Sequence, residues 1–182
     1  MAWIVKPSGS MQIDRRPEPY LTERLRQELT RDILPRYETS LGALIPVLHA
    51  VQHEHGWLPA QALEEVAAFL GLKPADVFDT ASFYEEFWLK PKGRHVIAVC
   101  RSIACEVCDH AAVTDACRER LGIEVGETTT DGAFTLVELE CLGACGGAPA
   151  ALVDETLHEK VSPGEIVELI DRALASPRAS GH

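Results

Sequence analysis

Four of the six cysteines in this 182-residue chain fall into two short runs, Cys100-Arg-Ser-Ile-Ala-Cys105 and Cys141-Leu-Gly-Ala-Cys145. The runs read C-x4-C and C-x3-C, with 35 residues between them. Thiols grouped in this way can pair as disulfides, hold structural zinc, or hold an iron–sulfur cluster. Disulfide frameworks suit small exported chains, and nothing in this sequence points to export. Zinc ribbons favour tight C-x2-C knuckles, narrower than either run here. A [2Fe-2S] unit needs two thiolates on each iron, room for bridging sulfides, and backbone amides aimed at them. Wide loops rich in glycine meet that need, and Gly143, Gly146 and Gly147 flank the second pair, where close approach and positive φ are both useful. The cluster is therefore the favoured reading, with zinc and disulfides as its alternatives. Glu138 and Glu140, next to Cys141, add negative charge and predict a low reduction potential.

Positioning these thiols falls to the segments just before them. Val96-Ile-Ala-Val99 and Phe134-Thr-Leu-Val-Glu-Leu139 are apolar and rich in β-branched residues, which predicts strands over about 94–100 and 134–140. A helix predicted from about Cys108 to Leu121 lies between them, so the strands can run parallel and deliver both loops to one sheet edge. Ala150–Val153 and Leu157–Val161 read as a hairpin about Asp154-Glu155-Thr156. Ser162-Pro163 opens a final helix to about Leu174.

The preceding part of the chain has helical periodicity. Leu21, Leu25, Leu29, Ile33 and Leu34 predict one helix over 20–36. A second, capped by Thr39 or Ser40, runs to about His55. A third spans Pro59 to Leu70, and a fourth opens at Pro74 and reaches about Tyr84. Together they predict a small bundle over 20–90, after an irregular arm over 1–19 that carries Pro7, Gly9, Pro17 and Pro19. The α/β part then covers 91–176, and 177–182 form a tail. His49 and His53 stand one helical turn apart, with His55 nearby, but no acidic or thiol partner accompanies them at ligand spacing, so they read as surface residues. Phe83, Tyr84, Phe87 and Trp88 concentrate the aromatic content of a chain that is only 6% aromatic. They are expected to pack between the two parts or to face a larger subunit.

A net charge of −11 argues against a nucleic-acid partner, because phosphate binding needs a basic face. No run is apolar for long enough to span a bilayer, and the first residues lack a signal peptide's charge and apolar core, so no membrane insertion and a cytoplasmic location are expected.

Taken with its context, Glu138-Leu-Glu-Cys141-Leu-Gly-Ala-Cys145-Gly-Gly-Ala-Pro149, the four-cysteine spacing resembles the thioredoxin-like [2Fe-2S] subunit of NADH-dehydrogenase modules. Gln52-His-Glu-His-Gly-Trp57, Ala81-Ser-Phe-Tyr84, Phe87, Gly126-Glu-Thr-Thr129 and Asp131-Gly-Ala-Phe-Thr135 resemble it too, so the likeness covers about residues 20 to 172. The family includes the NuoE subunit of bacterial complex I, relatives in NAD-reducing hydrogenases, and the small subunit of NAD-dependent formate dehydrogenases. The resemblance implies an α/β, thioredoxin-like [2Fe-2S] ferredoxin domain preceded by a small N-terminal helical bundle. It implies one [2Fe-2S] cluster, with Cys100 and Cys105 on one iron and Cys141 and Cys145 on the other. FMN and NADH are implied on a partner subunit, with further iron–sulfur subunits beside it, in a complex of which this chain is an electron-carrying and non-catalytic member. The likeness does not separate complex I from a hydrogenase or a formate dehydrogenase. Cys108 and Cys117 depart from the family pattern.

Cys105-Glu-Val-Cys108 supports a competing reading, since a C-x-x-C that opens a helix after a strand is the thiol–disulfide exchange motif of thioredoxins. Such an enzyme would have no use for Cys100, Cys141 or Cys145. The chain has no glycine-rich phosphate loop and no acid/base constellation of its own, so hydride chemistry is expected on a partner. That partner is expected to offer positive patches to this acidic chain.

Overall fold

The computed structural model describes residues 15–175, so most of the expected N-terminal arm and all of the expected tail lie outside the described residues. Two compact units divide the chain, one ending at Pro91 and the other beginning at Lys92.

In the first unit, Arg15 pairs with Glu64 at 2.7 Å and the Arg16 N–H donates to Gln61 Oε1 at 3.0 Å, so the described end of the arm lies against a helix. Helix α1 (Glu23–Glu28) starts where the Thr22 hydroxyl accepts the Leu25 N–H at 3.2 Å, which satisfies an otherwise orphaned donor. Leu21, Leu25 and Leu29 are buried and Ile33 and Leu34 pack against them, as their spacing predicts. The expected single helix over 20–36 is nevertheless irregular. It widens into a π-helical turn over Leu29–Ile33 and tightens into a 3-10 turn over Leu34–Arg36. Pro35 supplies the reason: it has no N–H to donate and its ring crowds the preceding turn, so the α-helical register cannot pass through it.

Helix α2 (Leu44–His55) begins later than the Thr39 or Ser40 cap implies. Thr39 instead closes a turn, its hydroxyl accepting from the Gly42 N–H at 3.1 Å and its carbonyl from the Ala43 N–H at 3.3 Å. Helices α3 (Ala60–Leu70) and α4 (Pro74–Phe83) follow within a residue or so of their expected bounds. Val47, Leu48 and Val51 of α2, Val66 of α3 and Val77 of α4 form the buried centre. The aromatic group divides: Phe87 joins this core, while Phe83 and Tyr84 are 78% and 45% exposed. His55 Nε2 lies 2.9 Å from the Tyr20 carbonyl, and the His49 ring tilts against Phe87 at 4.8 Å.

The second unit is built on a four-stranded sheet in the order β2-β1-β3-β4. Strands β1 (His95–Cys100) and β2 (Phe134–Leu139) are parallel and in step from His95↔Phe134 to Cys100↔Leu139. Strand β3 (Ala150–Val153) runs antiparallel to β1, and β4 (Thr156–Glu159) antiparallel to β3. The hairpin is tighter than expected. Asp154 takes φ 57°, so Asp154 and Glu155 alone make the turn, and Thr156 already pairs with Val153 as a strand residue. That shifts β4 from the expected 157–161 to 156–159.

Alternation of period two sends Ile97, Val99, Phe134, Leu136, Ala151 and Val153 into one core. Val113 and Cys117 of α6 (His110–Leu121) and Ile166 and Ile170 of α7 (Pro163–Ala175) fill it from the helices. The single helix expected from Cys108 is two: a five-residue α5 (Ile103–Val107) precedes α6, and Asp109, at φ 62°, breaks the path between them. A left-handed residue turns the chain out of α-helical register, so α5 and α6 point in different directions.

Three local devices hold this unit's elements in place. Gly93 passes so close to β2 that a Cβ there would sit 2.6 Å from the Phe134 carbonyl carbon, and its N–H donates to Thr135 Oγ1 at 2.6 Å. At the opposite end of β1 from Cys100, Asp154 accepts the Val96 N–H at 3.0 Å and lies 3.0 Å from His95 Nδ1. At the start of α7, Ser162 and Glu165 cap each other: Glu165 Oε2 accepts the Ser162 N–H at 2.8 Å, and Ser162 Oγ accepts the Glu165 N–H at 3.3 Å. Among the described residues no helix is long and apolar enough to cross a membrane.

Candidate functional site

Parallel, in-step pairing of β1 and β2 has a direct consequence for the cysteines. Cys100 is the last residue of β1 and Cys141 lies two residues past the end of β2, so both loops leave the same edge of the sheet. The Arg101 N–H donates to the Leu139 carbonyl at 2.9 Å and extends the ladder one step into the loops. Cys105 sits on α5 behind Cys100, and Cys145 opens a 3-10 turn over Cys145–Gly147. Cys100 and Cys105 are buried together with Ala150, and Leu142, Ala144 and Ala148 pack round them. Cys141 and Cys145 are exposed, and all four sulfurs are free thiols. The Ala148–Pro149 peptide bond, between the second pair and β3, is cis.

Electrostatics separates the thiols. Cys141 is held below the ordinary thiol range, chiefly because its sulfur accepts the Gly143 N–H at 3.3 Å, and next because the Ser102 hydroxyl donates to it. Cys145 and Cys100 also interact with it and lower it further. Cys105 shifts the other way. Burial raises it, the Ala150 backbone N–H opposes the rise, and the Cys100 and Cys145 sulfurs add to it. Each of the four sulfurs therefore interacts with others of the set, as the strand geometry requires. Gly143 makes its N–H···S bond from φ 73°, a conformation glycine adopts without penalty. Gly146 and Gly147 are not at positive φ, contrary to what the glycine-rich context suggests. Gly147 is needed for space instead, since a Cβ there would lie 2.7 Å from Glu159 Cβ.

The remaining cysteines stand apart. Cys117 is fully buried in α6 and its thiol is pushed up to about 12 by desolvation, the behaviour of a small core residue. Cys108 is exposed at the C-terminal end of α5. A dithiol exchanger needs an accessible thiol of lowered pKa at the first position of its C-x-x-C. Cys105 is 2% exposed and raised, so the geometry disfavours that chemistry.

The donor set suits a cluster of irons: four free thiols, an apolar backing, and backbone amides directed at two of the sulfurs. Among the described residues no three Cys, His, Asp or Glu side chains group closely enough to hold a single metal ion, and this includes His49, His53 and His55.

The charged residues beside the cysteines are paired, which their sequence positions alone do not reveal. Glu140 forms an ion pair with Arg101. Glu138 accepts the Thr114 hydroxyl at 2.9 Å, with His110 Nε2 3.8 Å away. The other ring nitrogen of His110, Nδ1, lies 3.0 Å from Glu106 Oε2 without the alignment of a hydrogen bond. The Arg101 contact was open to inference once β1 and β2 were taken as parallel, because Arg101 and Glu140 are equivalent steps beyond them.

A family model described as thioredoxin-like [2Fe-2S] ferredoxin matches residues 30–174. The chain belongs to that family. Among curated relatives, the NuoE subunit of NADH-quinone oxidoreductase from Pseudomonas aeruginosa is 36% identical over 151 residues, covering 83% of this chain and 90% of that one. The Escherichia coli K12 subunit of the same name is 38% identical over 136 residues, covering 75% and 82%. Among solved structures, an NAD+-reducing [NiFe]-hydrogenase in its H2-reduced state superposes with a TM-score of 0.65 at 28% identity. That superposition covers 77% of this ferredoxin but only 23% of the hydrogenase chain. The thioredoxin-like [2Fe-2S] fold and the expected family are thus both found.

Proposed function

We propose that this ferredoxin is the electron-transfer subunit of a multisubunit NADH-oxidising complex of the NADH:quinone oxidoreductase type. Cys100, Cys105, Cys141 and Cys145 hold one [2Fe-2S] cluster, the first two on one iron and the last two on the other. A bound cluster of this kind supplies one-electron exchange. The partner is a subunit carrying FMN and the NADH site, with further iron–sulfur subunits beyond it, and the assembly works on the cytoplasmic side. This chain contributes no acid, base or nucleophile. Its part is to hold four thiolates, to direct the Gly143 and Ala150 amides at two of them, and to back the buried pair with alanine and leucine side chains. In this reading 20–90 and 91–176 are the helical and cluster-holding domains.

The observation that carries the proposal is the meeting of four free thiols at one sheet edge in a chain of this family. The likeness to an NAD+-reducing hydrogenase favours a second reading, in which the same carrier serves a hydrogenase. Anaerobic purification with iron, sulfide and absorbance measurements tests the shared part. Two irons and two sulfides per chain with sulfide-to-iron absorption are expected, and a colourless protein binding one zinc would refute it. Identifying the proteins that copurify with the native chain separates the two assemblies.

A further inference from the structure

Arg101 and Glu140 are each bonded in sequence to a proposed ligand, Arg101 directly after Cys100 and Glu140 directly before Cys141. Cys100 pairs with Leu139 in the parallel register, so these two residues occupy the first step past the strands, where their side chains form an ion pair across the mouth of the two loops. The side chains are 49% and 66% exposed, and an ion pair as exposed as this adds little to stability. Position gives it a different significance. Glu138 is engaged by Thr114 on one side of the site, and Glu106 lies beside His110 on another, so the acidic surroundings are offset unevenly. Arg101 brings a permanent guanidinium charge to the residue adjoining Cys100.

A four-thiolate [2Fe-2S] centre is already negative, and one-electron reduction adds a further negative charge with no proton required. A fixed cation next to a ligand favours that step, and a fixed anion opposes it. We propose that Arg101 and Glu140 are opposed charges that tune the reduction potential of the cluster: Arg101 raises it and Glu140 lowers it, while their pairing holds both at the loop edge. The inference rests on the cluster assignment above and adds to it the chain's own means of setting the potential.

The test is a mediated redox titration of the full chain carrying its cluster, with dithionite as reductant, followed by absorption and by the EPR signal of the reduced state. Arg101→Gln is expected to shift the midpoint to lower potential and Glu140→Gln to higher potential. The double variant should fall between the two, and Arg101→Lys, which keeps the charge, should stay near the parent. Unchanged midpoints, shifts of the same sign in both single variants, or a Lys variant displaced as far as the Gln variant would overturn the proposal. So would cluster loss in both single variants, which would make the pair a structural staple. A parent protein that takes up no iron or sulfide would instead refute the cluster assignment itself, and that failure is seen before any variant is titrated.

Discussion

Gly143→Ala isolates the demand that the second cysteine loop places on its backbone. A Cβ at Gly143 meets nothing within 4 Å, so the substitution creates no clash. Its φ of 73° lies in the left-handed region, where an L-residue is disfavoured by about 1–2 kcal/mol. The loop has two ways to respond. It can retain its conformation, and the unit beginning at Lys92 then loses about 1–2 kcal/mol, measurable as a lower urea midpoint in the apo protein. Alternatively it relaxes, the 3.3 Å bond from the Gly143 N–H to Cys141 Sγ is lost, and the main cause of the lowered Cys141 pKa goes with it. Cys141 alkylation in the apo protein would then need a higher pH. Gly146→Ala is the control, because Gly146 is also open to a Cβ but is not at positive φ. Gly143→Asn should fall between them, since asparagine tolerates the left-handed region better than alanine. If Gly143→Ala matches Gly146→Ala in both the urea midpoint and the alkylation profile, the role assigned to this backbone is wrong.

Other expectations concern the ligands, the core and pH. Serine at Cys141 or Cys145 should remove or badly weaken the iron–sulfur absorption, whereas Cys117→Ser should leave it intact; equal loss at all six cysteines would contradict the ligand assignment. In the folded protein Cys117 should resist alkylation until the unit unfolds, because it is fully buried and its thiol is pushed up to about 12. Leu48→Ala should cost about 2–5 kcal/mol in urea unfolding, since Leu48 is wholly buried, while Leu41→Ala at a 60% exposed site should stay within about 0.5 kcal/mol. Gly93→Ala should destabilise by about 1–3 kcal/mol or more, because backbone atoms of Phe134 occupy the space its Cβ would take. The Glu165 carboxyl is held below the usual carboxylate range by the Ser162 N–H and hydroxyl. A lowered folded pKa means that this stabilisation is present above the unfolded value of about 4.3 and is lost as pH falls through the folded one. Glu165→Gln should therefore flatten the acid limb of a stability–pH curve between about pH 5 and 3, and an unchanged limb would contradict the capping assignment.

Much of the fold could be read from periodicity and punctuation, because those signals are local. Leucines spaced for one helix face marked the first unit, and Pro59, Gly71 and Pro74 marked the ends of α3 and the start of α4. The β-branched runs ending at Cys100 and Leu139 marked β1 and β2. Misplaced boundaries have local causes that averaging over a helical pattern conceals: the lost donor at Pro35, the turn closed by Thr39, and the left-handed Asp109 that divides α5 from α6.

The cysteine spacing by itself determined which residues could hold a cluster, because thiols are the only side chains here suited to it and their loops are short enough to act as pairs. Tertiary structure alone decided how they differ. Burial raises Cys105 while an amide and a hydroxyl lower Cys141, and both effects depend on atoms brought in from Ala150, Gly143 and Ser102. It also decided that Glu140 is answered by Arg101 and that Glu138 is held by Thr114. A count of charges along the chain cannot supply this, because electrostatic energy depends on separation in space and on exposure to water, and the register of two parallel strands sets both.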